Sequence, residues 1–584
     1  MITANINGKE CTAEAKETIL EVSKRNGFHI PTLCHLNLHD INYCNQPVSC
    51  RVCMVEVDEG RGPRLVPSCD TYVTDGMKIM TDSSRAIKAR RTVLELLLSN
   101  HPDDCLYCTR STNCDLQDLA KSMNIRDNRF EGKKSHLGKD ATSKSIVKDL
   151  DKCVLCRRCE SICREVQTVN VYSPINRGFE TVIAPAFNDS LQDTPCTFCG
   201  QCVSVCPTGA LTEVSHIDNI WEKLSDPEAV VVVQTAPAVR VALSEEFGSE
   251  VGTVSTGKMV AALRRMGFNY VFDTNWGADL TIMEEANEVV ERLKAGTLPI
   301  LTSCCPGWIK FIEHQFPSLI DVPSTCKSPH EMQGAITKAY FSKKLEIDPS
   351  KIYNVSVMPC VAKKYEAARS ELINDDMENV DAVITTRELA EMIREAGINY
   401  MALEEEEFDH PLGESTGAAA IFGAPGGVLE AALRTVAGWL TDDKMPSLDF
   451  KEVRGLEGIK EATLDIAGTK VRVAAASGLG NARTLLEGIE SGKNNYDVIE
   501  IMACPGGCIA GGGQPYNHGD REIIKKRMEA IYGIDLDKEI RESHKNPDII
   551  KIYEEYLGKP GGELSHKLLH THYFEREVVK EDKE

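Results

Sequence analysis

Hydrophobic and polar positions change their pattern near residue 225. Beyond it, short apolar runs alternate with amphipathic segments: 230–233 is predicted to be a buried strand, and 258–266 and 281–296 are predicted to be helices. Before it, short β-like runs alternate with a helix predicted at about 19–26, and an amphipathic helix is predicted at about 84–99. The alternation in the second half predicts an α/β fold, arranged as two lobes with a site between them.

Three strand-like runs in the second half end on cysteine. They cover residues 299–306, 355–360 and 499–508, and together they carry Cys304, Cys305, Cys360, Cys504 and Cys508. In an open α/β sheet, the loops after neighbouring strands meet in one crevice. Such loops would bring at least four thiols together, and four cysteine thiolates are what an iron–sulfur cluster takes as ligands.

The chain of 584 residues carries 23 cysteines and a formal net charge of −22. This acidity argues against nonspecific nucleic-acid binding, because that requires clustered cations. The sequence starts without a basic segment followed by an apolar core, and no apolar run approaches bilayer length, so neither secretion nor a membrane span is predicted. Because the cysteines cluster at ligand spacings, we expect reduced, metal-bound thiols in the cytoplasm rather than disulfides.

Eight cysteines between residues 153 and 206 form the strongest motif. Each half has the spacing Cys-x2-Cys-x2-Cys-x3-Cys, the pattern of bacterial ferredoxins that hold two four-iron clusters. In that pattern, the fourth cysteine of each run serves the cluster of the other run. One predicted ligand set is therefore Cys153, Cys156, Cys159 and Cys206, and the other is Cys196, Cys199, Cys202 and Cys163.

Two weaker groups precede this motif. Within the first 80 residues, a close pair of cysteines lies between two distant ones, which suits a two-iron cluster; the predicted ligands are Cys34, Cys50, Cys53 and Cys69, with Cys44 as an alternative to Cys50. The second group can hold an iron–sulfur cluster or a zinc ion, and consists of His101, Cys105, Cys108 and Cys114. His101 could instead serve only to cap the preceding helix.

The motifs of the second half carry a family resemblance that extends over essentially the whole chain. The most specific are Thr302-Ser-Cys-Cys-Pro-Gly-Trp308, Met358-Pro-Cys-x2-Lys-Lys364, and Met502-Ala-Cys-x3-Cys508 followed by Gly511-Gly-Gly-Gln-Pro515. With these motifs the chain resembles an [FeFe]-hydrogenase of the long form, which carries accessory iron–sulfur clusters.

The resemblance implies a multidomain α/β fold in six segments. These are a β-grasp, plant-type [2Fe–2S] ferredoxin domain at 1–80, a His/Cys3 [4Fe–4S] subdomain at 81–125, a connector at 126–148, a bacterial-type 2[4Fe–4S] ferredoxin domain at 149–220, a two-lobed α/β H-cluster domain at 221–520, and a helical tail at 521–584.

The resemblance also implies the cofactors. The catalytic one is the H-cluster, a four-iron cubane joined through a cysteine to a two-iron centre that bears CO, cyanide and a bridging dithiolate amine. Carried onto this sequence, the cubane ligands are Cys305, Cys360, Cys504 and Cys508, and Cys508 also bridges to the two-iron centre. Three further [4Fe–4S] clusters and one [2Fe–2S] cluster would exchange electrons with it.

A proton path is indicated partly by pattern and partly by the resemblance. Glu285, Glu288 and Arg292 are three and four residues apart, hence on one face of the predicted helix, which fits either a surface ion-pair stripe or a relay. The resemblance favours the relay and runs it from the free thiol of Cys304 through Glu285 and Ser324 to Glu288. An unperturbed thiol, with a pKa near 8.5, is mostly protonated at pH 7 and able to donate.

The remaining residues implied by the resemblance surround the two-iron centre. Lys363 is expected to hydrogen bond a cyanide, because the site calls for a compact cationic donor. Met358, Met502, Pro237 and Ala238 are expected to line the centre.

Three positions depart from the family pattern. Ala238 stands where some relatives have serine, so one hydrogen bond near the bridging amine is expected to be missing. His330 stands where others have glutamine, and Cys326 is nearby with no ligand role in the family, as expected of a small buried residue.

Ferredoxin is the expected electron partner. The N-terminal half also resembles the cluster-bearing large subunit of respiratory NADH dehydrogenase. An alternative form of the hypothesis therefore makes this chain the catalytic subunit of an electron-bifurcating complex with NADH-linked flavin subunits. No Rossmann or flavin fingerprint is evident, so the chain itself is not expected to bind NAD. Dedicated maturation proteins would insert the two-iron centre.

The competing class is an H2 sensor or iron–sulfur assembly factor, but such relatives tend to lose the relay cysteine, which is present here.

Overall fold

The structure, a computed structural model, describes residues 2–38, 43–45, 48–441, 447–466 and 468–576. Within these ranges no helix is both long and apolar enough to cross a membrane. The side chain of Cys44, our alternative cluster ligand, lies outside the described part of the chain.

The first region is a mixed sheet with one helix against it. Its elements are β1 Ile2–Ile6, β2 Lys9–Ala13, α1 Ile19–Arg25, β3 Leu36–Leu38, β4 Tyr43–Asn45, β5 Met54–Asp58, β6 Arg64–Pro67 and β7 Lys78–Met80. The sheet has the order β2-β1-β7-β5-β6, and β3 pairs with β4 separately. Its strands alternate in burial, as in β5, where Val55 and Val57 face the core. The helix begins with a capping box formed by Thr18 and Glu21, close to the predicted residue 19.

Helices and short strands follow in the region of the cysteine motifs. The elements are α2 Ser84–Asn100, α3 Asp115–Ser122, β8 Lys139–Asp140, β9 Ile146–Asp149, α4 Arg158–Ser161, β10 Ser173–Ile175, β11 Val182–Ala184, α5 Gln201–Val205 and β12 Leu211–Glu213. Strand β9 lies between β12 and β8 in a three-stranded sheet. It therefore begins inside the segment that we predicted as a connector. The polar residues around it hide the strand in the sequence, although Ile146 is buried in the core beside Cys159.

The second half contains two four-stranded sheets with helices around them. The elements are α6 Ile217–Leu224, β13 Val230–Thr235, α7 Thr256–Met266, β14 Tyr270–Asp273, α8 Thr274–Ala295, β15 Ile300–Leu301, α9 Pro306–Gln315, α10 Pro329–Ile336, α11 Ser342–Leu345, β16 Ile352–Met358, α12 Ala362–Ala367, β17 Ala382–Thr385, α13 Thr386–Glu395, α14 Gly417–Ala420, α15 Gly427–Thr441, β18 Ile459–Ile466, β19 Thr469–Ser477, α16 Leu479–Glu490, β20 Val498–Met502, α17 Arg521–Asp537, α18 Pro547–Ile552 and α19 Glu563–Leu569.

All three cysteine-bearing runs contain strands, but these strands belong to two sheets. The parallel sheet β14-β13-β16-β17 contains β16, which precedes Cys360. The sheet β15-β20-β19-β18 contains β15 and β20 as parallel neighbours, which precede Cys304 and Cys504. The expectation that neighbouring strands of one sheet supply the thiols therefore holds for β15 and β20, whereas β16 contributes from the opposite sheet.

Helix α8 begins seven residues before the start that we predicted at residue 281. Its first turns contain Asn275, Gly277 and Asp279, which are weak helix formers, so local propensity gave no signal there. Packing decides instead. A Cβ on Gly277 would lie 2.4 Å from the carbonyl oxygen of Pro329, so the glycine lets α8 lie directly against α10. The side chain of Asp273 caps the helix by accepting from the backbone N–H of Asn275.

The C-terminal helices pack on the catalytic half, and the residues after α19 pair with one of its loops. We call residues 569–573 the C-terminal segment and residues 324–327 the relay loop. The backbone N–H of Thr571 donates to the carbonyl of Thr325 over 2.8 Å, and that of Lys327 donates to the carbonyl of Leu569 over 2.8 Å. The C-terminal segment thus acts as a strand partner for the relay loop.

Candidate active site

A cavity between the two catalytic sheets collects the predicted cluster thiols. Cys305, Cys360 and Cys508 line it together with Cys304. Cys504 is buried and lies within electrostatic reach of Cys360, Cys305 and Cys508. Much of the remaining wall is apolar and includes the predicted packing residues Pro237, Ala238, Met358 and Met502.

The donor set of this cavity fits an iron–sulfur cluster. Burial raises the pKa of the Cys305, Cys504 and Cys508 thiols and raises that of Cys360 to about 12. Left alone, these thiols would stay neutral. A bound metal compensates thiolate charge and removes the protons, so four converging thiols in an apolar wall suit a cationic iron core.

The glycine triplet 511–513 explains how loops from distant parts of the chain come so close. A Cβ on Gly511 would lie 2.2 Å from the carbonyl oxygen of Pro359, and one on Gly513 would lie 3.1 Å from the backbone nitrogen of Cys360. A Cβ on Gly512 would lie 2.8 Å from the Cα of Gly200. The triplet therefore lets the Cys360 loop and the dicluster region approach the same backbone.

Lys363 is held beside Cys304 by a buried carboxylate. Its Nζ atom donates to the Cys304 carbonyl over 3.0 Å and to Glu366 Oε2 over 2.6 Å. Burial is the largest single influence and acts to lower the pKa of Lys363, but the charge and hydrogen bond of Glu366, together with the charges of Cys360 and Cys304, raise that pKa overall. His330, which stands at a position of departure, also contacts Glu366 through Nε2 over 2.6 Å and lines the cavity. Glu366 thus fixes a cation at the cavity wall.

The predicted proton path lies on α8 and the relay loop. Glu285 is 3% exposed, and its Oε2 atom has no hydrogen-bond partner among the described residues. Burial, reinforced by the charges of Glu288 and Glu500, raises the pKa of Glu285 to about 8. The Ser324 hydroxyl donates to Glu288 Oε2 over 2.7 Å. Arg292 donates to Glu288 Oε1 over 2.6 Å. The ion pair expected if these residues formed only a surface ion-pair stripe is therefore also present.

The eight cysteines of the dicluster region lie close enough to interact electrostatically, and Cys159 interacts with members of both predicted ligand sets. Cys206 is within electrostatic reach of Cys153, Cys156 and Cys159, and Cys163 is within reach of Cys196, Cys199 and Cys202. The second group continues into the catalytic cavity, where Cys199 neighbours Cys305 and Cys504.

The two N-terminal groups both adjoin the Cys153 group. Cys34 hydrogen bonds with Cys50, and Cys53 with Cys69, and the two pairs interact electrostatically. The buried amide of Asn45 donates to the carbonyls of Cys34 and Cys156. The Cys114 sulfur lies 3.6 Å from the carbonyl oxygen of Pro207, next to Cys206.

The ring of His101 has one hydrogen-bonded nitrogen and one buried nitrogen that is open to a ligand, and its backbone N–H caps the preceding helix. Its Nδ1 atom donates to the Pro102 carbonyl over 3.0 Å, while Nε2 is buried without a partner among the described residues. Ligating histidines characteristically donate their second ring N–H to a carbonyl in this way. Burial lowers the pKa of His101, which favours the neutral ring that a metal requires.

Several contributing residues escaped the sequence analysis. Gln167 joins the dicluster region to the catalytic half: its Nε2 donates to the Ala503 carbonyl over 2.9 Å and lies 3.6 Å from the Cys199 sulfur. Glu366, three residues after Lys363, was recognisable from its helical spacing. His570 and Thr325 lie at the outer end of the predicted proton path. They are far apart in the sequence and come into contact only because the C-terminal segment pairs with the relay loop, so no motif spacing could have marked them.

Five family models match consecutive parts of the chain. They are the 2Fe-2S iron-sulfur cluster binding domain over 1–84, the NADH-ubiquinone oxidoreductase-G iron-sulfur binding region over 90–129, the 4Fe-4S dicluster domain over 152–210, the iron only hydrogenase large subunit, C-terminal domain over 229–512, and the iron hydrogenase small subunit over 521–576.

Over 99% of both chains, the protein is 54% identical to the NADP-reducing hydrogenase subunit HndD of Solidesulfovibrio fructosivorans. The chain belongs to the iron-only, or [FeFe], hydrogenase family. This hydrogenase is also 40% identical to iron hydrogenase 1 of Clostridium pasteurianum, over 98% of this chain and 100% of that one. An apo [FeFe]-hydrogenase variant from Chlamydomonas reinhardtii has 42% identity and a TM-score of 0.57, covering 62% of this chain and 99% of its own.

These relationships confirm the resemblance seen in the sequence. The protein is an oxidoreductase acting on H2, a multidomain α/β hydrogenase with N-terminal [2Fe–2S] and [4Fe–4S] domains and an H-cluster domain.

Proposed function

We propose that this hydrogenase interconverts protons and H2 at an H-cluster held by Cys305, Cys360, Cys504 and Cys508, with Cys508 as the bridging ligand. The observation that carries the assignment is the convergence of these thiols from two sheets around one cavity. When bound, the H-cluster supplies the metal centre at which two protons and two electrons combine. Lys363 would offer its ammonium group to a cyanide, and Met358, Met502, Pro237 and Ala238 would exclude water around the centre.

The chain's own residues would move the proton. Burial raises the pKa of Cys304 well above its usual value, so its thiol holds a proton in the cavity wall at neutral pH. Glu285, with a pKa of about 8, can replace that proton, and Ser324 can pass one on from Glu288 because its hydroxyl both donates and accepts. Glu288, paired with Arg292, would form the outer end of the path.

The order of the thiol groups supports one electron path with two starting points. The group of Cys34, Cys50, Cys53 and Cys69 would hold the [2Fe–2S] cluster, and that of His101, Cys105, Cys108 and Cys114 a [4Fe–4S] cluster. Both adjoin the four-iron set completed by Cys206, which passes electrons to the set completed by Cys163 and then to the catalytic cavity. The six-segment division of the chain, including its β-grasp first domain, follows the same proposal.

The electron partners would bind at the N-terminal groups. Leu106 and Tyr107, between two predicted ligands of the His101 group, are 91% and 89% exposed, and large apolar side chains so exposed favour protein docking. HndD is a subunit of an NADP-reducing hydrogenase, which supports NAD(P)H-linked subunits in trans in addition to ferredoxin. Purification of the native enzyme as several chains rather than one would separate this arrangement from a ferredoxin-only enzyme.

We place the protein in the cytoplasm and assign the insertion of its two-iron centre to maturation proteins.

The decisive experiment replaces Cys304 by alanine in the matured enzyme. We expect turnover to fall by at least about 100-fold, as is usual when an essential proton donor is lost. Infrared bands of metal-bound CO and cyanide should persist, because Cys304 is not a proposed ligand. The matched control is Cys11→Ala, since Cys11 is a buried thiol in the first sheet with no assigned role. Full activity in Cys304→Ala would refute the relay, and absence of the infrared bands from the wild-type enzyme would refute the H-cluster.

A further inference from the structure

His570 connects the C-terminal segment to the outer end of the proposed relay. Its Nδ1 atom lies 2.7 Å from the Thr325 hydroxyl oxygen, and its Nε2 atom lies 3.0 Å from Glu284 Oε2. Thr325 in turn approaches Glu288: its backbone N–H donates to Glu288 Oε2 over 3.1 Å, and its hydroxyl oxygen lies 3.5 Å from the same atom. One threonine hydroxyl is therefore placed between a histidine and a relay carboxylate.

The surroundings decide which ring nitrogen of His570 carries the hydrogen. Glu284 Oε2 already accepts from the backbone N–H of Gly561, and Glu284 Oε1 accepts from the Tyr553 hydroxyl. The carboxylate acts there as an acceptor, so the Nε2 atom of His570 is the donor. In neutral imidazole the Nδ1 atom then has only a lone pair, and the Thr325 hydroxyl must donate its hydrogen to it.

This hydrogen bond keeps the Thr325 hydroxyl hydrogen away from Glu288. Without an acceptor at the position of Nδ1, the threonine hydrogen would be free to turn toward Glu288 Oε2. Glu288 Oε2, which already accepts from Ser324 and from the Thr325 backbone, then gains one more donor. An added hydrogen bond stabilises the ionised carboxylate and lowers its proton affinity.

We propose that His570 is a positioning residue of the proton relay, which acts on Glu288 by setting the direction of the Thr325 hydroxyl hydrogen. The inference rests on the relay proposed above and adds to it a control element from the C-terminal segment. The ring of His566 lies parallel to that of His570 at 4.7 Å between centroids and is exposed, so it links the pair to solvent. The ionisable groups that face His570 are Glu284, Tyr553, Cys326, His566 and, through Thr325, Glu288.

Two substitutions separate the contacts of His570. In His570→Asn, the amide oxygen can take the place of Nδ1 and accept from Thr325, whereas the contact with Glu284 is lost. In His570→Gln, the longer amide can take the place of Nε2 and donate to Glu284, whereas the acceptor for Thr325 is lost. The Thr325 hydroxyl of His570→Gln is then free to donate to Glu288.

The measurement is the pH profile of H2 uptake by the matured enzyme. The acid limb of this profile reports the group that must be deprotonated to accept an outgoing proton, here Glu288. We expect the limb of His570→Gln to move about half to one pH unit lower, the size expected from one additional hydrogen bond. His570→Asn should follow the wild type. In a Thr325→Val background, His570→Gln should cause no further shift, because the hydroxyl that transmits the effect is absent.

The outcomes distinguish this inference from the relay itself. Unchanged infrared bands and thermal midpoints would establish that the variants alter neither the cluster nor the fold. An unshifted profile in His570→Gln, a shift that persists with Thr325→Val, or equal effects of the asparagine and glutamine variants would overturn the role of His570. Glu288→Gln tests the relay separately: a large loss of turnover supports it, and unchanged turnover would refute the relay whatever His570 does.

Discussion

The dicluster region and the catalytic cavity both gather buried thiols, but they do so by different means. All eight dicluster cysteines lie between residues 153 and 206, in short loops whose spacing already groups them. The catalytic thiols are spread from Cys305 to Cys508 and come together only because two sheets direct their strand ends into one cavity. Ligands of the first kind depend on local geometry, and those of the second kind depend on the whole fold.

Each region is therefore sensitive to a different kind of substitution. A change in the packing between loops should spare the dicluster region and damage the catalytic one, because only the latter relies on loops brought together from distant parts of the chain. The catalytic cavity also has a buried carboxyl, Glu285, in its proposed proton path, and that carboxyl makes the region sensitive to pH. Gln167 joins the two regions and is the place where they can be separated.

The largest effect is expected from Gly511→Ala. The new Cβ would lie 2.2 Å from the carbonyl oxygen of Pro359 and would displace the loop of Cys360. We expect the purified chain to lose the iron of the catalytic cluster and at least about 90% of its activity, since overpacking of about 1–3 kcal/mol falls directly on a ligand loop. Iron analysis and electron paramagnetic resonance of the remaining clusters measure the outcome.

Gly533→Ala is the matched control for this substitution. Gly533 lies within α17, and a Cβ there meets nothing within 4 Å. It should leave the iron content unchanged and slightly stabilise the helix. Equal iron loss from the dicluster signals and the catalytic site in Gly511→Ala would contradict the distinction between the two regions.

Glu285→Gln tests the pH sensitivity of the catalytic region. The pKa of Glu285 is about 8 in the folded protein, above its ordinary value of 4.5, so the folded state retains a proton that the unfolded state loses. The stability this proton contributes is fully present below pH 4.5 and is lost as the pH rises through 8, by at most about 1.4 kcal/mol per pH unit. Glutamine cannot ionise. The thermal midpoint of the variant should therefore gain on the wild type between pH 6 and pH 8.

The exposed Glu291 of the same helix provides the comparison. Glu291→Gln should show the same difference from wild type at both pH values, because its side chain is solvated. If Glu285→Gln behaved in the same way, Glu285 would not be a buried acid with a raised pKa.

The smallest effect on turnover is expected at the junction between the regions. Gln167→Leu removes the partner of the Ala503 carbonyl and of the Leu479 N–H, both of which bond to this side chain over 2.9 Å. Leaving two buried groups unpaired should cost about 2–4 kcal/mol. Loss of a donor near the Cys199 sulfur should also make the potential of the adjacent cluster more negative.

Calorimetry and a redox titration measure these two quantities. Gln201→Leu is a suitable control, because the Nε2 atom of buried Gln201 has no hydrogen-bond partner among the described residues. A Gln201→Leu variant as destabilised as Gln167→Leu would show that the junction bonds contribute nothing specific.

The same contrast explains how much the sequence predicted. The pairing of Cys206 with the first dicluster run and of Cys163 with the second is predicted from spacing alone, and each of these two cysteines lies near the run that it is predicted to join. The strands before Cys360 and Cys504 were predicted from apolar runs, and their existence is confirmed. Their distribution over two sheets was not predictable, because a buried strand carries no mark of its sheet.

Features created by tertiary contact were the ones missed. Helix α8 starts at Thr274 although its first turns contain poor helix formers, because close packing against α10 outweighs propensity. Strand β9 was hidden among polar residues and is fixed by its partners β8 and β12. Gln167 and His570 act across more than 200 residues of sequence, so no local pattern could have marked them.

The backbone pairing between the relay loop and residues 569–573 also has a consequence for biosynthesis. Residue 573 is translated roughly 250 residues after residue 324, which at ribosomal speeds is a delay of roughly 10–50 s. During that interval the relay loop lacks its neighbouring strand. In a nascent chain, the loop that holds Ser324 and Thr325 would therefore gain its backbone hydrogen-bond partners only after the last helices have been made.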